Sequence, residues 1–284
     1  SRKYVRMADA VLLENTGGVA TATINRPKEL NALGNDVVVG LLKAVDSVAR
    51  SSARVFVLTA VGNVFCPGGS LVDAGASSGF SEGGTLPLDS AVRQLRFSMT
   101  LAQRLHEMPQ VTICAINGGC AGAGLSIACA CDLRYTVASA RFSTAFVNVG
   151  LSGDFGYSFF LPRIVGAAKA RELCFLGSKL DAQQAHTMGL VSAVLQNRED
   201  LLTHVGLIAA RLKSAAPLAL EAMKRNLNDA ETRSLADMLD LESTRHAQCG
   251  AHPDAAEAGA AFMEKRAPTF DVPRPLEPWQ HSRL

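Results

Sequence analysis

The chain has 284 residues, 48% of them hydrophobic, enough to bury the core of one large domain, alone or with a helical appendage. Its 28 basic and 26 acidic side chains leave a net charge of +2, and no basic run exceeds Lys224-Arg225 or Lys265-Arg266, which argues against nucleic acid as a partner but leaves room for a small acidic ligand. No run is long and apolar enough to span a bilayer and no signal peptide is visible, so the expected place is the cytoplasm, with no membrane partner. Cys114, Cys129, Cys131 and Cys174 fall inside apolar patterns among seven cysteines, and read as reduced core thiols. Cys129-x-Cys131 is too short for a zinc site and the six histidines form no His-x-x-x-His pair, so no metal is expected.

In chain order, Ser1 to Ala8 reads as a loose leader. Val11–Glu14 and Val19–Ile24 read as two strands joined by Asn15-Thr16-Gly17-Gly18, a hairpin signal. Asn25-Arg26-Pro27 breaks the strand, and Asn35 or Asp36 caps an amphipathic helix to about Ser51, with Val37, Leu41, Leu42, Val45 and Val48 on one face. Val55–Thr59 is a short buried strand, Val61 to Ser70 a loop, and the Gly- and Ser-rich stretch from Leu71 to Pro87 a mobile loop rimming a binding site. A helix over Asp89–Glu107 leads to the strand Val111–Ile116, a helix-like stretch ending near Cys131, and the strand Leu133–Val137. Helices follow over Phe159–Val165, Ala167–Leu176 and Asp181–Met188, then the strand Ala193–Leu195. Beyond Arg198 the pattern is helical, at about Asp200–Ser214, Pro217–Asn228, Thr232–Gln248 and Asp254–Lys265, before a Pro-rich tail. Alternating strands and helices predict an α/β core.

The segment from Asn117 to Gly156 carries the chemistry. Small residues around Gly122-Ala123-Gly124, between a strand and a helix, let a ligand reach backbone N–H groups at a helix N-terminus, a way to hold an oxyanion. Asp154 stands alone among apolar neighbours, including Phe146, Val147 and Phe155, which should raise its pKa. An oxyanion cradle and one carboxylate suit proton transfer beside a carbonyl. By itself, Ser152-Gly153-Asp154 before a helical run reads first as a helix cap or loop acid. Ser126 has no His or Lys placed to activate it and reads as a polar pocket or helix residue.

From Val11 to Phe270 the chain resembles the crotonase family, the enoyl-CoA hydratase/isomerase superfamily. The resemblance rests on an ordered set: Asn25-Arg26-Pro27, Asn31-Ala32-Leu33, Phe65-Cys66-Pro67-Gly68-Gly69, Ala115-Ile116-Asn117-Gly118, Ala121-Gly122-Ala123-Gly124, Cys131-Asp132-Leu133, Ala140-Arg141-Phe142, Leu161 to Gly166, Gly189-Leu190-Val191 and Ala261 to Arg266. It implies a spiral of ββα units in two roughly perpendicular sheets over residues 9–198, a helical oligomerisation region over 199–266, an extended tail over 267–284, and a homotrimer or dimer of trimers. It implies an acyl-CoA substrate, coenzyme A being part of that substrate and no separate cofactor being needed. The oxyanion donors carry over to the N–H groups of Gly69 and Ala123, and losing one such donor costs roughly 3–4 kcal/mol in a barrier. Adenine would lie near Cys66, Pro67 and Gly68 across Gly122; Lys28 would pair with phosphate; Phe262 and Lys265 would reach a neighbouring subunit's ligand.

Two departures sharpen the reading. The glutamates of a standard hydratase of this family fall at positions held here by Ser126 and Phe146, in the pocket. Asp154 falls where some relatives, including double-bond isomerases, keep a working carboxylate. One carboxylate suffices to move a proton between two carbons, so isomerisation is expected ahead of hydration, of Asp-nucleophile chemistry and of silent acyl-CoA binding.

Overall fold

A computed structural model describes residues 3–7, 10–69 and 87–270, the first five as backbone. The expected leader is not loose throughout: β1 (Lys3–Met7) pairs antiparallel with β2 (Val11–Thr16) from Lys3 opposite Asn15 to Met7 opposite Val11. β2 turns at Gly17 and Gly18, at φ +58° and +88°, into antiparallel β3 (Val19–Ile24), a left-handed pair that suits a two-residue hairpin. Next comes α1 (Asn35–Ala49), which buries Val37, Leu41, Leu42, Val45 and Val48. Its cap differs from expectation. Extended Gly34 is the N-cap, without a side-chain bond, and the Asp36 carboxylate instead takes Arg26 at 2.6 Å.

β4 (Val55–Ala60) is buried at all six positions, as a strand covered on both faces must be. It pairs parallel with β3 and with β6 (Val111–Ile116). Parallel β8 (Leu133–Val137) and β11 (Ala193–Leu195) complete a seven-stranded sheet in the order β1-β2-β3-β4-β6-β8-β11. A second sheet, in the order β10-β9-β7-β5, collects short strands that periodicity did not reveal: β5 (Val64–Cys66), β7 (Gly119–Ala121), β9 (Arg141–Ser143) and β10 (Leu180–Asp181). Strands of two or three residues are too short to print an alternation.

The remaining α-helices among the described residues are α2 (Leu88–Glu107), α3 (Ala123–Cys129), α4 (Tyr157–Val165), α5 (Ala167–Leu176), α6 (Ala182–Thr187), α7 (Arg198–Lys213), α8 (Pro217–Ala230), α9 (Leu235–Ala251) and α10 (Pro253–Glu264). α7 places Leu201, Val205 and Ala209 in the same core as the large sheet, so that core runs past residue 198. α8 is anchored by Lys224, 6% exposed, whose ammonium donates to the Leu105 and Gln110 carbonyls at 3.3 and 3.0 Å and to Asp132 at 2.8 Å. None of the described helices is long and apolar enough to cross a membrane.

Candidate active site

The site grows where the two sheets meet. β5 and β7 run parallel, Val64 opposite Gly119 and Cys66 opposite Cys120, so the loop after β5 lies beside the turn after β7. Two glycines permit the approach. A Cβ on Gly118 would lie 1.8 Å from the Asn63 carbonyl oxygen, and one on Gly124 would lie 2.4 Å from that of Cys66. Real Cβ atoms do not come so close, so both positions need a bare backbone. Gly68 (φ +115°) and Gly122 (φ +50°) face each other, with Gly122 Cα and Ala123 N 3.7 and 3.6 Å from where a Gly68 Cβ would stand.

Asparagines fasten the loop from behind. Asn31 donates to the Val61 and Val64 carbonyls at 2.9 and 2.7 Å and accepts from the Arg26 N–H. Asn117 donates to the Gly62 carbonyl at 2.7 Å, and the Leu33 N–H donates to the Gly68 carbonyl at 2.8 Å. These contacts give the Asn31-Ala32-Leu33 and Asn117 motifs a physical role that sequence reading did not supply.

Among the described residues the N–H groups of Gly69 and Ala123 have no hydrogen-bond partner. Ala123 opens α3, so its N–H has none within its own helix. Gly69 is exposed while Gly122 and Ala123 are buried. Ser126 is buried in α3 with its hydroxyl donating to the Gly122 carbonyl at 3.2 Å. The Cys66 thiol donates weakly to the Gly68 carbonyl at 3.7 Å and is pushed up to about 12, chiefly by burial, with the nearby Asp154 charge adding to the rise.

Asp154 lies in a turn of unusual backbone. Gly153, Phe155 and Gly156 have φ of +102°, +47° and +77°. Asp154 does not cap α4: the N-cap is Gly156, and no side chain bonds the first turn. Among the described residues one carboxylate oxygen, Oδ1, is buried without a hydrogen-bond partner. Burial raises the Asp154 pKa to about 6. Phe146 and Phe155 are buried and fit the expected apolar surroundings, whereas Val147 is 48% exposed and does not. Phe146 approaches the site of a Gly122 Cβ at 3.8 Å and packs on Tyr157 with ring centroids 5.1 Å apart.

Close approaches thus gather Cys66, Gly68, Gly122, Ala123 and Phe146, and Asp154 joins them through Tyr157, whose N–H donates to the Asp154 carbonyl and whose ring packs on Phe146, with Pro67 exposed at the rim and Gly69 beyond Gly68. Lys28 is exposed on the short 3-10 turn Pro27–Glu29, and Phe262 (82% exposed) and Lys265 lie at the end of α10, so this single chain does not gather them into the cluster. The predicted mobile loop lies outside the described residues from 70 to 86, with its acids Asp73 and Glu82. Sequence reading missed Tyr157; the Gly153-x-x-x-Tyr157 spacing was the available signal.

Known proteins resemble this chain in sequence and fold. The sequence pattern of the family described as enoyl-CoA hydratase/isomerase matches residues 14–273. The 1,2-epoxyphenylacetyl-CoA isomerase of Escherichia coli K12 is 35% identical over 93% of this chain and 99% of its own. A probable enoyl-CoA hydratase of Rhodobacter capsulatus is 34% identical over 90% of this chain and 96% of its own. The crystal structure of a putative enoyl-CoA hydratase from Streptomyces coelicolor A3(2) superposes with a TM-score of 0.85 at 32% identity, covering 92% of this chain and 94% of that one. A family match across the paired turns, the small second sheet and the Asp154 turn makes this chain a member of the enoyl-CoA hydratase/isomerase family.

Proposed function

We propose that this enzyme moves a double bond within an acyl-CoA thioester, with Asp154 as the proton carrier and the N–H groups of Gly69 and Ala123 as the oxyanion donors. The observation that carries the reading is the buried Asp154 oxygen, unpartnered among the described residues, in a chain where the positions that the family resemblance gives to the two hydratase glutamates hold Ser126 and Phe146. In a 3-enoyl thioester the carboxylate takes a proton from C2. The C–H electron pair moves into the thioester, and negative charge gathers on its oxygen, where two N–H donors stabilise it. The carboxylic acid then returns the proton to C4 and the electrons re-form a double bond between C2 and C3. No atom is added and the base is regenerated. Hydration instead needs water activated on one side and a proton managed on the other. Ser126, its hydroxyl spent on Gly122, and Phe146 offer no second carboxylate.

Asp154 acts as a base only when ionised, so kcat/KM should fall as pH drops through about 6. Two relatives named isomerases favour the same chemistry, while relatives named hydratases keep hydration as the rival. The exposed Phe262, Met263, Leu235 and Leu239 in α9 and α10 support assembly of several copies, in which Phe262 and Lys265 would approach a neighbour's ligand.

The deciding experiment is turnover of 3-enoyl- and 2-enoyl-CoA thioesters, read by product mass, with Asp154→Asn beside wild type. The expected result is 3-enoyl to 2-enoyl conversion that falls about 10³-fold in the variant. Water addition lost in the variant would replace this reading with a hydratase. Thioester binding without turnover would replace it with a binding protein.

A further inference from the structure

We propose that Tyr157 is a positioning residue for Asp154, its ring holding the Gly153–Gly156 turn in the one shape that presents the carboxylate. The inference rests on the assignment of Asp154 as proton carrier.

Three contacts carry it. The Tyr157 ring occupies the space a side chain on Gly153 would need: a Cβ there would lie 1.9 Å from Cε1, 2.4 Å from Cδ1 and 2.7 Å from Cζ. The Tyr157 N–H donates to the Asp154 carbonyl at 3.2 Å, closing the turn from the other side. Phe146 backs the ring, tilted 44° with centroids 5.1 Å apart, and itself abuts Gly122 of the oxyanion turn. A line of neighbouring groups therefore runs from Phe146, which stands 3.8 Å from where a Gly122 Cβ would be, through Tyr157 to Gly153 and Asp154.

The carboxylate needs such a support. Its Oδ1 has no hydrogen-bond partner among the described residues, so no bond there fixes its direction. The turn is not held by local preference either. Phe155 is a non-glycine residue at positive φ, and residues in that region stay there because their surroundings hold them. A ring pressed on Gly153 and a backbone bond to Asp154 supply that hold. Among the described residues the titratable groups around this turn are Cys66 of β5, Tyr157 of α4, Cys174 of α5 near its ring, and His106 of α2, whose ring meets Phe159 and Phe160 of α4 at 6.2 and 5.2 Å. The thiols and the phenol are raised by burial from values already far above 6, so an acid limb near 6 that is kept in His106→Gln reports Asp154.

The test measures kcat, KM and the pH profile with a 3-enoyl-CoA for wild type, Tyr157→Phe, Tyr157→Ala, Gly153→Ala and the Gly153→Ala/Tyr157→Ala double variant, with Asp154→Asn alongside. Tyr157→Ala is expected to lower kcat about 10- to 100-fold with KM within about threefold, as misplacement of a reacting group does. Its acid limb is expected to move about one pH unit or more toward the ordinary carboxylate range as the turn opens to water. Tyr157→Phe keeps the ring and is expected to hold the limb near the wild-type position. Gly153→Ala is expected to lose about as much in the wild-type background and only about two- to threefold in Tyr157→Ala, because the collision is then gone while the φ strain is common to both.

An unmoved acid limb in folded Tyr157→Ala overturns the proposal, as do Gly153 and Tyr157 losses that multiply independently. If Tyr157→Ala fails to fold by circular dichroism, Tyr157→Leu takes its place in the same comparisons. Wild-type turnover in Asp154→Asn would instead sink the underlying assignment, whatever the Tyr157 variants do.

Discussion

Asp132, just before β8, and Asp154, just before α4, are both partly drawn out of water, yet their partners differ completely. Asp132 Oδ2 accepts from the Thr112 N–H at 2.7 Å, from the Thr112 hydroxyl at 2.9 Å and from the Lys224 ammonium at 2.8 Å. The Asp132 N–H in turn donates to the Thr112 hydroxyl at 2.8 Å. One carboxylate thereby joins β6, the start of β8 and α8. Asp154 keeps an oxygen with no such partner and sits in a turn of left-handed residues. A buried charge that is fully paired ties elements together. One left unpaired costs stability, and a fold retains it where the charge has chemistry to do.

The comparison breaks most visibly at Asp132. Asp132→Ala leaves the Lys224 ammonium, 6% exposed, with two carbonyls and no counter-charge, and should cost about 3–5 kcal/mol. Lys224→Met should cost less, because it removes the stranded charge and keeps the apolar stem. Urea unfolding measures both. A loss under about 1 kcal/mol for Asp132→Ala would show the network to be ornamental.

At Asp154 the sign reverses. Its folded pKa, about 6, lies above the ordinary aspartate value, so between those limits the folded state binds a proton that the unfolded state has released. Stability therefore falls as pH rises from about 4 to about 6, and the full cost stays in place above that window. Asp154→Asn escapes it, and should gain about 1–3 kcal/mol at pH 8 and close to nothing at pH 4. Denaturant midpoints at the two pH values decide this. Equal gains at both would place the cause in something other than ionisation.

Much of this contrast could be read in the sequence and much could not. The parallel strands Val111–Ile116 and Leu133–Val137 were legible because β-branched, aromatic and apolar residues dominate them, with Thr112, Arg134 and Thr136 adding polar groups. Asp154 was legible as a lone acid among apolar residues. Whether it was a helix cap depended on which residue started α4, and that start was set by Gly156 at φ +77°, a backbone property no pattern of side chains encodes. The second sheet escaped detection because its strands are held by register with Phe142, Cys120 and Cys66 rather than by their own periodicity. Asp132 appeared in the sequence only within a family motif; its lysine partner lies 92 positions away, a distance at which no local pattern operates.

The Gly122-Ala123-Gly124 turn offers a middle-sized test of the same contrast, because packing without charge holds it. Gly124→Ala would set a methyl group 2.4 Å from the Cys66 carbonyl oxygen and 2.7 Å from Cys66 Cβ. Backbone cannot yield there as a flexible side chain would, so β5 and α3 must separate, carrying Gly69 away from Ala123. The expected loss is about 10- to 100-fold in kcat, somewhat less than the full loss of one donor. An unchanged rate in Gly124→Ala would mean that the spacing of the two turns does not govern catalysis.

Ser126 gives the smallest effect. The family resemblance puts it at the position of a hydratase glutamate, which makes its hydroxyl a natural suspect for chemistry. The structure spends that hydroxyl on the Gly122 carbonyl one turn back in α3, and the side chain is 1% exposed. A serine bonded back onto its own helix adds little stability, since the carbonyl already accepts the Ser126 N–H at 3.1 Å. Ser126→Ala should therefore change stability by less than about 1 kcal/mol and kcat by less than about threefold. A loss above about 100-fold would make Ser126 a participant in proton or acyl transfer, and would remove the ground for assigning the chemistry to a single carboxylate.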